Sequence, residues 1–193
     1  MRRVSVVGIP GAGKSTLTRR LATLLDVPSI ELDALHFQPN WVVVAPEEFV
    51  ERTAAVTSGE GWVVDGNYSS VQPTVVWPAA DTVVWLDLSR PVVMTRLVRR
   101  TLARLITRRP LWNGNRERLA NVLSWDPDRS ILRWAWTRFR PYRDRYEAAW
   151  EDPSWAHPRL IRLRSPREVA AFLDRVRRDL GTAPLDGGPP ATP

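Results

Sequence analysis

Eight residues near the start of the chain, Gly8-Ile9-Pro10-Gly11-Ala12-Gly13-Lys14-Ser15, fit the pattern G-x-x-x-x-G-K-[ST]. Lys14 is the only lysine among 28 basic residues; arginine serves everywhere else. Phosphate chemistry gives a reason for the exception. A slim ammonium reaches between neighbouring phosphates, whereas a planar guanidinium is too broad to enter the loop. Glycines at these positions let backbone N–H groups wrap an anion, and the Ser15 hydroxyl suits a divalent cation. The expected ligand is a nucleoside triphosphate, ATP, with Mg²⁺. Its expected contacts run from Gly8 through Pro10 to Ser15 and Thr16.

Carboxylates supply the rest of the chemistry. Trp62-Val63-Val64-Asp65-Gly66 reads as an apolar strand ending in an acid. That is what a Mg²⁺ contact opposite Ser15 requires, although a loop aspartate capping the next turn fits the same letters. Gly66 is expected to let the chain turn tightly after it. Ile30-Glu31-Leu32-Asp33 places a second acid at a strand end. Asp33 there is suited to accept the proton of an acceptor hydroxyl, to hold Mg²⁺ through water, or to cap the segment that follows. Asp87 follows a third strand and reads as a helix cap or a neighbour of the metal, not as a catalytic group. His36, with no histidine partner nearby, reads as a structural hydrogen-bonding residue.

Charge is concentrated in one segment. The net charge is +7, and residues 96–145 carry 14 arginines against four acids. Arg96, Arg100 and Arg104 recur every four residues, so they share a helix face with Arg99 nearby. Such a row is either a clamp on phosphates or a solvated basic face. The stretch 110–118 contains an Asn-Gly turn signal and reads as a lid over residues 106–125. Arg116 and Arg118 are its candidate phosphate contacts, and closure would exclude water.

These groups need a scaffold that brings strand ends together. Strand-like runs at 3–7, 29–32, 62–64, 82–86 and 160–163 alternate with helical segments, and the run at 29–32 is weak. This alternation predicts a parallel sheet with helices on both faces, with ligands beyond the carboxyl ends of the strands. Pro46-Glu47-Glu48, Ser89-Arg90-Pro91 and Ser165-Pro166-Arg167-Glu168 read as helix starts, the last as a capping box. Asp126-Pro127 reads as the start of a long helix to about Trp150, with Ile131, Ala135, Phe139, Tyr142, Tyr146 and Trp150 as its core-facing stripe. Ten tryptophans are scattered through the chain, most of them as packing residues. Trp41 and Trp112 stand out, because both fall in loops near the expected site.

Length, at 193 residues, and a hydrophobic fraction of 44% suit one domain with a real core, expected over residues 1–180. Residues 181–193 are rich in glycine and proline and are expected to form a disordered tail. The absence of cysteine excludes disulfides and cysteine-based metal sites. No apolar run approaches the ~20 residues of a membrane span. With no recognisable signal sequence, a cytoplasmic protein is expected, as monomer or homodimer.

On Gly8 to Ser15, Leu32-Asp33-Ala34-Leu35, Val64-Asp65-Gly66-Asn67-Tyr68, residues 80–87 and Gly114-Asn115-Arg116-Glu117, the chain resembles the adenylate-kinase-like P-loop kinases. Within them it looks most like the bacterial group called DNA topology modulation proteins. The resemblance covers roughly residues 1–180. It implies an α/β/α sandwich on a five-stranded parallel sheet in the order 2-3-1-4-5, with a basic helical lid, ATP, Mg²⁺ and phosphoryl transfer. It also implies that Asp65 is linked to Mg²⁺, Arg96 stacks near the base, Arg100 touches phosphate and Arg164 borders the adenine.

The chain departs from adenylate kinases where those enzymes place arginines for the AMP phosphate. The stretches 34–37 and 67–70 contain none. A hydroxyl acceptor facing Asp33, with Asn67, Tyr68, Arg104 and Arg116 as further substrate contacts, fits better than AMP. The leading reading is an ATP-dependent small-molecule kinase, acting on a hydroxyl-bearing or nucleotide acceptor, in which Lys14, Asp33 and Arg100 carry catalysis. A nucleotide-dependent nucleic-acid-binding regulator is the alternative, supported by the arginine-rich segment and its tryptophans. A P-loop scaffold without turnover is a third.

Overall fold

A computed structural model describes residues 1–107, 110–116, 126, 130–152 and 158–181. Five strands form one sheet: β1 (Arg3–Val7), β2 (Ser29–Glu31), β3 (Trp62–Asp65), β4 (Thr82–Leu86) and β5 (Arg159–Leu163). Their spatial order is β2-β3-β1-β4-β5, and every pairing is parallel. The fold class expected from the sequence is therefore the one observed. Strands β3 and β4 are buried along their whole length, as continuous apolar runs covered on both faces must be.

Among the described residues, seven α-helical segments accompany the sheet: α1 (Lys14–Leu25), α2 (Leu32–His36), α3 (Pro46–Thr57), α4 (Trp77–Ala79), α5 (Arg90–Thr107), α6 (Ile131–Glu151) and α7 (Pro166–Asp179). One core joins β1 and β4 to α1 and α7 through Val4, Val6, Leu17, Leu21, Leu173 and Val176. The other joins Val7, Val64, Val83 and Trp85 to Phe49 of α3 and Tyr146 of α6. Helix α7 opens on the expected capping box. Ser165 Oγ accepts the Glu168 N–H at 3.2 Å, and Glu168 Oε2 accepts the Arg164 N–H at 2.8 Å.

Several local expectations are corrected. Strand β2 stops at Glu31, so Asp33 does not end a strand; it lies in the first turn of α2. Gly66 is required by packing, with no tight turn involved: a Cβ there would come within 2.7 Å of the Leu32 side chain. That close approach seats the first residue of α2 against the end of β3. Helix α6 begins at Ile131, later than the Asp126-Pro127 signal; Asp126 contributes its carbonyl to the Ser130 N–H at 3.0 Å. A π-helical segment, Gln72–Val76, was not foreseen. The tail beyond 181, Arg118 and most of the expected lid lie outside the described residues.

Candidate functional site

The loop between β1 and α1 has the backbone its glycines permit. Gly8, Gly11 and Gly13 take φ values of 145°, 92° and 100°. A Cβ at Gly8 would come 2.8 Å from the Leu86 carbonyl, and one at Gly11 would come 2.6 Å from the Val93 carbonyl. The loop thus lies against β4 and α5 with no room for side chains. Gly13 leads directly into α1, so the helix N-terminus and its unsatisfied N–H groups face the loop.

A cavity of about 460 Å³ opens beside this loop, lined by residues 11–17 and by the α7 start at Pro166. Arg96, Arg100 and Arg104 enter from α5, and Arg19 and Arg20 from α1. With Lys14 this makes six cations on one cavity and no carboxylate among its lining residues. Val93, Leu97 and Thr101 form the buried face of α5, so the arginine row occupies the neighbouring face. Arg96 donates to the Ala12 carbonyl at 3.3 Å, fixing α5 to the loop. Arg164 is not among the lining residues; Pro166 takes that position. Pro10 is likewise absent from the lining, whereas Thr16 is present.

At the carboxyl edge of β3, Ser15 Oγ donates to Asp65 Oδ2. Asp65 is buried, and burial pushes its carboxyl above the usual aspartate range. Lys14 and the Ser15 bond pull it back, while Asp33 and Glu31 push it further up. A hydroxyl and a desolvated carboxylate, beside the phosphate-binding loop, are the hard oxygen donors that Mg²⁺ takes, so the residues present fit that ion.

Asp33 and Tyr68 meet as a pair: the Tyr68 hydroxyl donates to Asp33 Oδ1 at 2.6 Å. Burial, then the charge of Asp33 and the bond to it, raise the Tyr68 pKa, so the phenol stays a donor. His36 packs against the rings of Phe37, Phe49 and Tyr68 at 4.8, 4.8 and 4.5 Å. Burial lowers its pKa against the pull of Asp33, which makes it a neutral packing residue. Its Nδ1 is buried with no hydrogen-bond partner among the described residues, so the hydrogen-bonding role expected of it is corrected to ring packing. Asn67 is placed differently from Tyr68. Its amide donates to the Gly8 carbonyl at 2.5 Å and accepts the Gly8 N–H at 3.2 Å, so it binds the loop itself.

The Trp112–Gly114 turn reaches the same region from a distant part of the chain. Trp112 Nε1 donates to Glu31 Oε2 at 2.6 Å, and Arg104 lies over its ring at 6.0 Å. Asn113 donates to the carbonyls of Ala34 and Phe37. Asn115 accepts the Trp41 N–H at 2.8 Å and donates to the Gln38 carbonyl at 2.9 Å. Trp41 Nε1 donates to the carbonyl of Arg116, whose side chain is exposed. Trp112 therefore spans from the acid at the end of β2 to the arginine row. The Asn-Gly signal marked the turn, but nothing local to the sequence marked what it docks on.

Asp87 is withdrawn from the site. It accepts Arg162 at 2.9 and 2.6 Å and lies 3.3 Å from Arg143, while Arg162 also binds Glu147 at 2.5 Å. Arg162 stacks over Trp85 at 4.2 Å. The cluster ties β4, β5 and α6 together.

The 2-3-1-4-5 sheet with its glycine loop and Lys14 after β1 defines a P-loop nucleotide-binding fold. No family model matches the chain, and no curated protein matches it. Among solved structures it is similar to a gluconokinase from Sinorhizobium meliloti 1021, at 20% identity and TM-score 0.48, over 93% of this chain and 95% of that one. It is also similar to a protein from Chloroflexus aurantiacus J-10-fl named as a kinase, at 18% identity and TM-score 0.46, over 91% and 96% of the two chains. Likenesses this distant concern the path of the chain alone.

Proposed function

We infer that the chain is a phosphotransferase that moves the γ-phosphoryl group of ATP to a hydroxyl of a small acceptor. The observation that carries this reading is the Asp33–Tyr68 pair at 2.6 Å, close enough to the Lys14–Ser15–Asp65 cluster for Asp33 to perturb the Asp65 carboxyl. A simple phosphate-binding module has no use for a carboxylate held in this way.

The geometry supports the following division of work. Loop N–H groups, Lys14 and the arginine row receive the triphosphate, and Arg100 and Lys14 spread the charge of the transferring group. Ser15 and Asp65 would hold Mg²⁺, which supplies charge neutralisation at the phosphates when bound. Tyr68 occupies Asp33 Oδ1 and leaves Oδ2 for the acceptor. The acceptor oxygen bonds to the γ-phosphorus as the bond to the β–γ bridging oxygen breaks. The acceptor proton passes to Asp33, and ADP leaves. Asp33 thus both holds the hydroxyl in line and takes its proton as the bond to phosphorus forms. Stretches 34–37 and 67–70 offer no arginine, which favours a hydroxyl acceptor over a nucleoside monophosphate.

The test is ADP formation from ATP–Mg²⁺ by the wild type and Asp33→Asn, across nucleosides, nucleotides, sugars and hydroxy acids. A compound that raises wild-type turnover, with the gain lost in Asp33→Asn, identifies the acceptor class. Tight ATP binding with stimulation by none would overturn the kinase reading. One surface feature favours nucleic acid instead: Trp136 is 55% exposed with Arg90 stacked on it at 4.8 Å. Fluorescence anisotropy with single-stranded DNA across a salt series tests that alternative, since binding through phosphates must weaken steeply with salt.

A further inference from the structure

We propose that Tyr146 is a positioning residue for the phosphate-binding loop, acting through the side chain of Asn67; this rests on the nucleotide-binding reading of that loop. Strands β1 and β3 pair with Val6 opposite Asp65, and continuing that register sets Gly8 opposite Asn67. The backbone ladder has ended there, and the Asn67 side chain replaces it. Its Nδ2 donates to the Gly8 carbonyl at 2.5 Å, and its Oδ1 accepts the Gly8 N–H at 3.2 Å. Gly8 is the first residue of the loop and sits at φ 145°, hard against the Leu86 carbonyl. Its peptide orientation determines where the following N–H groups point.

A primary amide is nearly symmetric in shape, so something must keep it from turning over. The turned amide would set NH₂ against the Gly8 N–H and oxygen against the Gly8 carbonyl. Tyr146 adds a third contact of the same sense: its hydroxyl donates to Asn67 Oδ1 at 3.0 Å. Tyr146 is 1% exposed, and its ring is packed against Trp85 and Trp77 at 5.6 and 6.3 Å. A hydroxyl so buried stays protonated and has few other partners. Gln72 lies at 3.5 Å from it and donates Nε2 to the Gly66 carbonyl at 2.5 Å, bracing the peptide just before Asn67.

The connection is long in sequence and short in space. Tyr146 and Asn67 are 79 residues apart. Tyr146 belongs to α6, the helix that closes the arginine-rich segment. Asn67 stands two residues after Asp65 and next to Tyr68. One amide thus joins the nucleotide loop to α6, from a position just after the acid at the end of β3 and next to the tyrosine that holds Asp33. The ring of Tyr146 satisfies the core stripe expected of its helix; the hydroxyl has this separate task.

The experiment uses the full chain and a fluorescent ADP analogue, titrated well below the melting temperature, with the Gly8 amide resonance followed by NMR in the nucleotide-free protein. Tyr146→Phe keeps the ring and removes the donor. Losing one buried hydrogen bond predicts about 3- to 10-fold weaker nucleotide binding and a shifted Gly8 resonance. Asn67→Ala should weaken binding by more, and adding Tyr146→Phe to it should cost nothing further, since the two act as one unit. If Asn67→Ala fails to fold, Asn67→Ser replaces it in the cycle. A role limited to packing would lower the melting temperature and leave affinity and the Gly8 resonance unchanged, which overturns the proposal. Independent, multiplying effects of the two substitutions overturn it as well. A wild type that binds no nucleotide overturns the loop reading on which it rests.

Discussion

The nucleotide side and the acceptor side of this site are built in different ways. The nucleotide side is almost continuous in sequence: one strand, one glycine loop and one helix start provide the cradle, and α5 adds a row of arginines at helical spacing. The acceptor side is assembled from pieces far apart. Asp33 from α2, Tyr68 after β3 and the Trp112 turn meet through side chains separated by 35 to 81 residues. A local cradle recognises the part of the ligand common to all nucleotides. An assembled pocket can change its acceptor by altering loops while leaving the cradle alone.

The largest expected effect separates the two sides. Asp33→Asn keeps the shape of the side chain and still accepts the Tyr68 bond, but it cannot take a proton. Acceptor-dependent turnover should fall by roughly 10²–10⁴, the usual contribution of a positioned base, while nucleotide affinity stays within twofold. Steady-state kinetics beside a nucleotide titration check it; a matching loss of affinity would mean the two sides are not separate. Lys14→Ala is the converse. It should cost at least about 1–3 kcal/mol of nucleotide binding, the worth of hydrogen bonds to charged groups. Calorimetry of ATP binding measures this, and unchanged affinity would remove Lys14 from the site.

How much of this was readable in the sequence follows the same division. Gly8, Lys14 and Ser15 announce the cradle because their roles depend on backbone conformation and reach, which are properties of neighbours in the chain. The strand order was foreseen through a family resemblance, and the buried runs of β3 and β4 agree with it. Asp33 was identified as a key acid although its strand was misread: the short, half-exposed β2 yields to α2 because Leu32 is drawn into the space that Gly66 leaves. Asn67 was read as an acceptor contact, yet its amide faces Gly8, a pairing set by β-sheet register. Glu31 and Gln72 carry no signal of their own, and Asn115 only that of the Gly114-Asn115-Arg116-Glu117 resemblance, since each acts only on a partner brought near by the fold. Asp87 lies at the correct sheet edge but is claimed by Arg162 and Arg143, cations contributed by β5 and α6.

Trp112→Phe probes the assembled side more gently. It keeps an aromatic ring beneath Arg104 and removes the N–H held by Glu31 at 2.6 Å. The Asn113 and Asn115 contacts remain, so the turn stays docked but loosened. ATP hydrolysis without acceptor should rise about threefold, less than the full worth of one hydrogen bond, because water enters more readily. Nucleotide affinity should hold. ADP release in the absence of acceptor measures the first quantity, and a rise accompanied by weaker ATP binding would place Trp112 on the nucleotide side instead.

The smallest effect should come from the opposite edge of the sheet, where neither side of the site reaches. Asp81 Oδ2 accepts the backbone N–H groups of Arg2 and Arg3 at 2.6 and 2.9 Å, joining the start of β4 to that of β1. Burial alone would push its carboxyl up, but the Arg3 and Arg2 N–H groups and the Thr82 hydroxyl outweigh it and hold the pKa below the usual aspartate range. A carboxylate with a depressed folded-state pKa binds fewer protons folded than unfolded, so its stabilisation is complete above the ordinary aspartate value of about 4. It is lost as pH falls through the lower, folded value. Asp81→Asn should therefore destabilise the protein at neutral pH by about 1 kcal/mol or less, given partial exposure to solvent. Urea denaturation at pH 7 and again below pH 4 should show the gap between wild type and variant narrowing in acid, with nucleotide affinity and turnover unaffected at neutral pH. A gap that persists unchanged in acid would mean that the side chain's shape, and not its charge, joins the two strands.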